Sequence, residues 1–228
     1  MNEKQLIALQ AAKQVEDGML VGLGTGSTAN LFIEALAIRV QEEGLQVKTV
    51  ASSMISSIMA RQVGLPQLAI EQINQLDLYV DGADEVAPDL TLLKGRGADL
   101  VKEKLLAKAS DKFLVLADES KFVDWIGQRY PIPIEVMPFA WQLVKASLEA
   151  IGGRGELRKN SNQDSLVVTS HGSLVLDMVF EVTFGSKMLS QLLSNTPGVV
   201  EHGIFIELAT SVITVKQEQV QEFGVSLS

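Results

Sequence analysis

Three loops in this chain combine residue types that bind anions, hold hydroxyls and move protons. The first, Gly22-Leu23-Gly24-Thr25-Gly26-Ser27-Thr28, is dense in glycine and hydroxyl residues. Glycine reaches positive φ, so successive N–H groups can converge on an anion, and the hydroxyls and a following helix N-terminus add donors. The same cluster also fits a tight strand-to-helix turn capped by Ser27 or Thr28. The second, Asp81-Gly82-Ala83-Asp84-Glu85, ends an apolar run and places at least two carboxylates where a ligand's hydroxyls could be held. An acidic turn closed on its own backbone is the plainer reading of any Asp-Gly pair. The third, Lys94-Gly95-Arg96-Gly97-Ala98, offers a lysine that could neutralise a developing oxyanion or a phosphate. It runs into a helix bearing Glu103, which is either a proton-transfer base or, with Lys102 and Lys104 beside it, one position of a solvated face.

Two nucleotide readings of the first loop fail. A Walker loop requires Gly-Lys-Ser/Thr and no lysine is present, while a dinucleotide site wants an acidic residue closing the second strand, which here ends in Val50-Ala51-Ser52. Ser52, Ser53, Ser56 and Ser57 crowd that strand end as further hydroxyl donors or as helix caps. No cofactor is expected. With no cysteine and with His171 and His202 far from the three loops, no metal site is expected either.

The elements that must carry these loops alternate. Apolar Leu6, Ile7, Leu9, Ala12 and Val15 predict a helix over 3–16, followed by a strand over 19–23, a helix over 29–43 and a strand over 45–51. Further helices are predicted over 57–63 and 99–109, and strands over 78–80 and 113–117. Alternation of this kind implies a Rossmann-like parallel sheet covered on both faces, with ligands at the carboxyl ends of its strands. After Tyr130-Pro131 the texture changes. A strand from Ile132, a helix over 139–151, strands over 166–169 and 174–180, a helix over 187–193 and a strand over 199–207 suit an inserted ferredoxin-like α+β domain. A last strand over 211–216 returns to the first domain. The expected division is therefore 1–130 plus 208–228 for the catalytic domain and 131–207 for the insertion.

Composition sets the outer bounds. In 228 residues, 46% hydrophobic, there is material for one large or two small cores. A net charge of −9 with no basic stripe argues against nucleic acid as a partner but not against a small anionic substrate, which needs only local N–H groups and a lysine or two. The N-terminal stretch lacks the apolar core of a signal peptide and no run is long enough to span a bilayer, so no membrane association and a cytoplasmic location are expected.

The loops, in this order and spacing, together with Glu103-Lys104, Asp118-Glu119-Ser120-Lys121, Pro133-Ile134-Glu135-Val136, Leu176-Asp177 and Pro197-Gly198-Val199-Val200, resemble ribose-5-phosphate isomerase type A over nearly the whole chain. The resemblance implies interconversion of ribose 5-phosphate and ribulose 5-phosphate through an enediol in the non-oxidative pentose phosphate pathway. It implies that Glu103 shuttles the proton between C1 and C2, that Asp81 and Asp84 bind the open-chain sugar and assist at its oxygens, and that Lys94 stabilises the enediolate. It also implies substrate contacts from Gly24, Thr25, Gly26, Ser27, Thr28, Gly82, Ala83, Gly95, Arg96 and Gly97, a phosphate held with help from Lys4 and Lys121, and a homodimer or homotetramer. Arg96 stands where the family often has glycine, Lys102 where it has arginine, and Ser170-His171-Gly172-Ser173 where it has an Asn-Gly-Asn turn.

Two rivals remain at this level. A sugar-phosphate sensor needs an output module, and only about 18 residues precede the first strand, too few for a helix-turn-helix head. An amino-sugar-phosphate deaminase or a lactonase would want a histidine at the site, whereas His171 reads as a turn residue and His202 as a surface residue.

Overall fold

The computed structural model describes residues 2–181, 184–216 and 219–224; Met1, 217–218 and 225–228, within the range expected for the first domain, and 182–183, within the insertion, lie outside the described residues. In chain order the elements are α1 (Glu3–Ala12), β1 (Leu20–Leu23), α2 (Ser27–Glu43), β2 (Lys48–Ala51), α3 (Met54–Gln62), β3 (Leu76–Gly82), β4 (Glu85–Val86), β5 (Leu92–Leu93), α4 (Leu100–Ala109) and β6 (Ser110–Leu116). Then follow β7 (Ile132–Val136), α5 (Trp141–Ala150), β8 (Gly153–Leu157), β9 (Leu174–Phe180), α6 (Ser186–Ser194), β10 (Val199–His202), β11 (Ile204–Phe205), β12 (Ser211–Lys216) and β13 (Gln219–Gly224). Contacts divide the chain into one unit of Met1–Ala83, Lys102–Phe122 and Glu207–Ser228, and another of Asp84–Val101 and Val123–Ile206.

The first unit is built on a six-stranded sheet of order β13-β12-β6-β3-β1-β2. β2, β1, β3, β6 and β12 pair in parallel, and β13 closes the edge antiparallel to β12. Strands such as Phe113 to Leu116 are apolar without alternation because both faces are buried. On one face Ile7, Ala11, Phe32, Ile33 and Leu36 of the first two helices pack with Val21, Leu23, Leu78, Val80 and Ile213. Asn2 and Gln5 cap α1 reciprocally, and Gly44 ends α2 in the left-handed conformation. Because five strands run parallel, the loops after Leu23, Ala51, Gly82 and Leu116 all leave from one edge of the sheet.

The second unit holds an antiparallel sheet of order β10-β7-β9-β8, with α5 between β7 and β8 and α6 between β9 and β10. That is the split βαβ order of a ferredoxin-like fold. Ile134, Val136, Val144, Leu148, Leu176, Met178, Leu189 and Leu193 form its core. A small sheet, β11-β5-β4, completes the unit.

Two local expectations are corrected. Residues 166–169 make only isolated bridges, Leu166 with Lys159 and Val168 with Leu174, and β9 takes β7 and β8 as its partners instead. The polar segment after Asn160 folds back on that residue's side chain, which bonds Asp164 and Ser165, and residues 165–167 pair with 158–160 through Asn160 N–H to Ser165 O and Val167 N–H to Arg158 O, both at 2.9 Å. The strand expected over 199–207 divides at Gly203: β10 pairs with β7 while β11 pairs with β5, and a Cβ at 203 would run into the Lys94 carbonyl. The edge strand β13 was not anticipated; its polar, exposed pattern carries little apolar signal.

Candidate active site

In the first unit the Gly24 to Thr28 loop leaves β1 and enters α2. Gly24 donates its N–H to Val80 O at 2.8 Å, and a Cβ there would run into the Asp81 carboxylate. Gly26, at φ 114°, is the N-cap of α2 and has open space around it. Asp81, at the end of β3, is fully buried. Its Oδ1 accepts the N–H groups of Thr25 at 3.0 Å and Gly82 at 2.7 Å, and its Oδ2 accepts the Tyr79 hydroxyl at 2.5 Å.

A hydroxyl chain lies beside this carboxylate. Thr25 Oγ1 donates to Ser53 Oγ at 2.7 Å, Ser53 and Ser56 are 2.9 Å apart, and Ser56 donates to Gly24 O at 2.6 Å. Both donors of Thr25, the amide and the hydroxyl, are thus used inside the protein. Ser27 behaves differently: it is exposed and its Oγ accepts from Lys4 Nζ at 2.9 Å. Two residues expected at the phosphate end, 23 positions apart in sequence, are therefore brought together. Thr28 is half-buried in the first turn of α2, Ala83 is half-buried after β3, and Lys121 ends the short helical turn Glu119–Lys121 that follows β6.

Glu103 is a buried carboxyl, 4% exposed, in the first turn of α4. A negative charge is favoured at that end of a helix by the unpaired N–H groups. Its field reaches Tyr79: burial first, then the charges of Asp81 and Glu103, hold the Tyr79 phenol well above its ordinary pKa. Tyr79 is therefore a permanent donor at neutral pH.

In the second unit Lys94, also 4% exposed, donates its N–H to Gly203 O at 2.9 Å and has its ammonium 5.8 Å from the centre of the Phe205 ring. Gly95 sits at φ 100°, and a Cβ there would press on Leu100 and Pro133. The Arg96 guanidinium lies 4.3 Å over the Tyr130 ring, while its backbone N–H points to Asp84 Oδ2 at 3.4 Å. Gly97 is exposed with open space around it. Arg158 Nη1 donates to the carbonyls of both Gly95 and Arg96 at 3.0 Å.

The acidic motif separates into distinct parts. Glu85 is fully buried and cradles backbone: Oε2 accepts from Gly127 at 2.6 Å, and Oε1 from Arg129 and Tyr130 at 2.7 and 2.9 Å. It is an architectural carboxylate, whereas Asp81 organises the glycine loop and Asp84 meets the Lys94 to Gly97 loop.

His202 corrects the surface reading. It is 1% exposed, its Nδ1 accepts the Ile204 N–H at 3.2 Å, and Nε2 faces Ser194 and Ser190 at 3.1 and 3.3 Å. An Nδ1 that accepts leaves the proton on Nε2, so the imidazole cannot draw a proton from either serine. The register shift between Val199 and Glu201 turns this residue inward. His171 is an exposed turn residue, as expected. Among the described residues no three His, Asp or Glu side chains group as metal ligands would.

Sequence reasoning did not single out Tyr79 or Arg158, and it gave no role to Asp177 or the buried Glu135. A tyrosine in an apolar strand reads as core filling, and an arginine more than sixty residues from the loop it holds leaves no local signal.

Known proteins resemble this chain in sequence and in fold. The family model described as Ribose 5-phosphate isomerase A (phosphoriboisomerase A) matches residues 48–219. Proteins named ribose-5-phosphate isomerase A from Prochlorococcus marinus subsp. pastoris and Methanothermobacter thermautotrophicus are 42% and 43% identical, covering 94% and 96% of both chains in each pairing. The solved ribose 5-phosphate isomerase A of Methanocaldococcus jannaschii superposes with a TM-score of 0.92 at 36% identity, over 97% of this chain and 98% of its own. A D-ribose-5-phosphate isomerase solved in complex with phospho-erythronic acid gives 0.94 at 37% identity, over 99% of this chain and all of the other. With a family match over most of its length and relatives of this similarity end to end, the chain belongs to the ribose 5-phosphate isomerase A family.

Proposed function

We propose that this protein interconverts ribose 5-phosphate and ribulose 5-phosphate, with Glu103 as the base that carries the proton. The observation that supports the role most directly is a carboxyl only 4% exposed in the first turn of α4. Glu103 takes the proton from C2 of the open-chain aldose; the electrons move into a C1–C2 double bond and the carbonyl oxygen becomes an enediolate. Lys94 offsets the charge on that oxygen, Asp84 and Asp81 assist as the proton on oxygen changes place, and Glu103 returns its proton to C1. No atom is gained or lost. A related isomerase is solved in complex with phospho-erythronic acid, a sugar-acid phosphate whose planar anionic carboxylate resembles an enediolate's oxygens.

The phosphate falls to Lys4, Ser27, Thr28 and Lys121, with backbone N–H groups from Gly26 onward. Ser27 accepts from Lys4 and so keeps its own proton for a ligand. Thr25 supports the loop instead, because its donors point inward. Gly82, Ala83, Gly95, Arg96 and Gly97 line the substrate through their backbone. Among the described residues no helix is long and apolar enough to cross a membrane; we place the enzyme in the cytoplasm. Residues 131–207 serve as the assembly domain of a homodimer or homotetramer, a reading supported by Phe139 and Leu143, 85% and 75% exposed and four residues apart beside and within α5.

The decisive measurement is conversion of ribose 5-phosphate in excess EDTA, with Glu103→Gln alongside. General acid–base catalysis contributes roughly 10²- to 10⁴-fold, so the variant should lose at least about 100-fold in kcat while turnover by the parent survives the chelator. Full activity in the variant would move the base elsewhere. Binding without turnover by the parent would make the protein a sensor.

A further inference from the structure

Tyr79 lies between two strands that are shaped to receive it. On β1 the residue directly opposite is Gly22, where a Cβ would come within 2.6 Å of the tyrosine ring; on β6 it is Phe113, whose ring stacks on it at 4.8 Å. The ring is thereby held in one place, fully buried, and its hydroxyl reaches Asp81 Oδ2, two residues on along the same face of β3. Asp81 in turn holds the N–H groups of Thr25 and Gly82 with its other oxygen. A carboxylate with one oxygen tied by a phenol cannot rotate without breaking that bond, so the phenol fixes the two amides that Oδ1 holds.

We propose that Tyr79 is a positioning residue for the isomerisation, acting through Asp81 to set the Gly24-Thr25 loop and the Gly82 turn. The proposal rests on the isomerase reading given above. Two further features support it. Ser52 lies 3.0 Å from Thr25 Oγ1 and its hydroxyl pulls against the rise in the Tyr79 pKa, which puts one residue beside both the loop and the phenol. The phenol also stays protonated beside Asp81 and Glu103, which makes it a neutral donor among carboxylates and not a third negative charge.

The test is Tyr79→Phe, which removes one oxygen and keeps the ring, compared with Phe113→Leu, which disturbs the packing and keeps the hydroxyl. kcat, KM and the thermal midpoint are measured for each with ribose 5-phosphate. Loss of a hydrogen bond to a charged group should lower kcat of Tyr79→Phe by roughly 10- to 100-fold with KM within about threefold and a midpoint no lower than that of Phe113→Leu. Phe113→Leu should show the reverse, a lowered midpoint with kcat within about threefold. If Tyr79→Phe keeps its kcat, or if Phe113→Leu loses kcat as heavily, the residue is core packing and nothing more. A parent enzyme that turned over no pentose phosphate would overturn the isomerase reading and this role with it, whereas an active parent and an equally active Tyr79→Phe would overturn this role alone.

Discussion

Arg158 grips Asp177 at two points, Nε to Oδ2 at 2.8 Å and Nη2 to Oδ1 at 2.6 Å, and spends its remaining nitrogen on the carbonyls of Gly95 and Arg96. The pair is mostly shielded, with side chains 14% and 24% exposed. A planar guanidinium can serve a carboxylate and two carbonyls at once; a lysine cannot. Arg158→Lys should therefore keep the charge yet lose the fork, with kcat/KM falling about 10-fold or more and stability falling by about 2 kcal/mol. Asp177→Asn should do less to the loop, because Arg158 keeps its carbonyls. Steady-state kinetics and urea midpoints for both variants check this, and equal damage from the two would refute the division of labour.

Gly24 and Gly26 predict opposite outcomes for one chemical change. A methyl at Gly24 collides with the Asp81 carboxylate, while at Gly26 there is open space and only the φ of 114° is unfavourable. Gly24→Ala should abolish most activity because Asp81 must move. Gly26→Ala should cost about 1 kcal/mol in stability and act mainly on KM. Comparable kcat values for the two would mean that the close approach does not matter.

Lys4 is predicted to act on affinity. It contacts Ser27, on the loop assigned to the phosphate, and is remote in sequence from the proton-transfer groups. Lys4→Gln should raise KM for ribose 5-phosphate several-fold with little change in kcat, since a non-reacting phosphate is held alike in ground and transition states. The same variant should shift the inhibition constant of inorganic phosphate in parallel; a selective fall in kcat would contradict it.

Glu135 makes stability depend on pH. Burial pushes this carboxyl to about 7, helped by the charges of Asp99 and Glu201 and opposed by the Thr169 hydroxyl and the Val101 N–H, neither of which closes a full hydrogen bond. Between an ordinary carboxyl value and 7 the native state holds a proton that the unfolded chain has released, so stability falls as pH rises through that window and levels off above it. Glu135→Gln should remove the effect: equal to the parent near pH 4.5 and more stable by about 2 kcal/mol at pH 8. Urea denaturation at the two pH values decides it, and a constant difference would rule it out.

Legibility followed burial and distance. The parallel sheet was visible because strands buried on both faces become continuous apolar runs, as at Phe113 to Leu116, and because glycine-rich loops mark their ends. The glycine loop, Asp81, Lys94 and Glu103 could be found from residue type and the family resemblance. Roles within the site were less visible. Asp81, Asp84 and Glu85 stand within five positions, yet Glu85 binds the backbone of residues 127–130 and Asp81 that of residues 25 and 82, contacts that follow from the fold alone. The surface reading of His202 fails because a bulge changes which face it joins, and the burial of Glu135 leaves no signal because a carboxylate in the middle of a strand ordinarily faces water.

The place of β12 in the first sheet sets an order on synthesis. Its strand lies beside β6, between that strand and the edge, and comes from residues 211–216, after the whole of the second unit has been made. A chain emerging from the ribosome therefore has every strand of the second unit before it has the fifth parallel strand of the first. The sheet from whose strand ends the loops at Gly24, Asp81 and Asp118 leave is thus completed only after the second unit has been made.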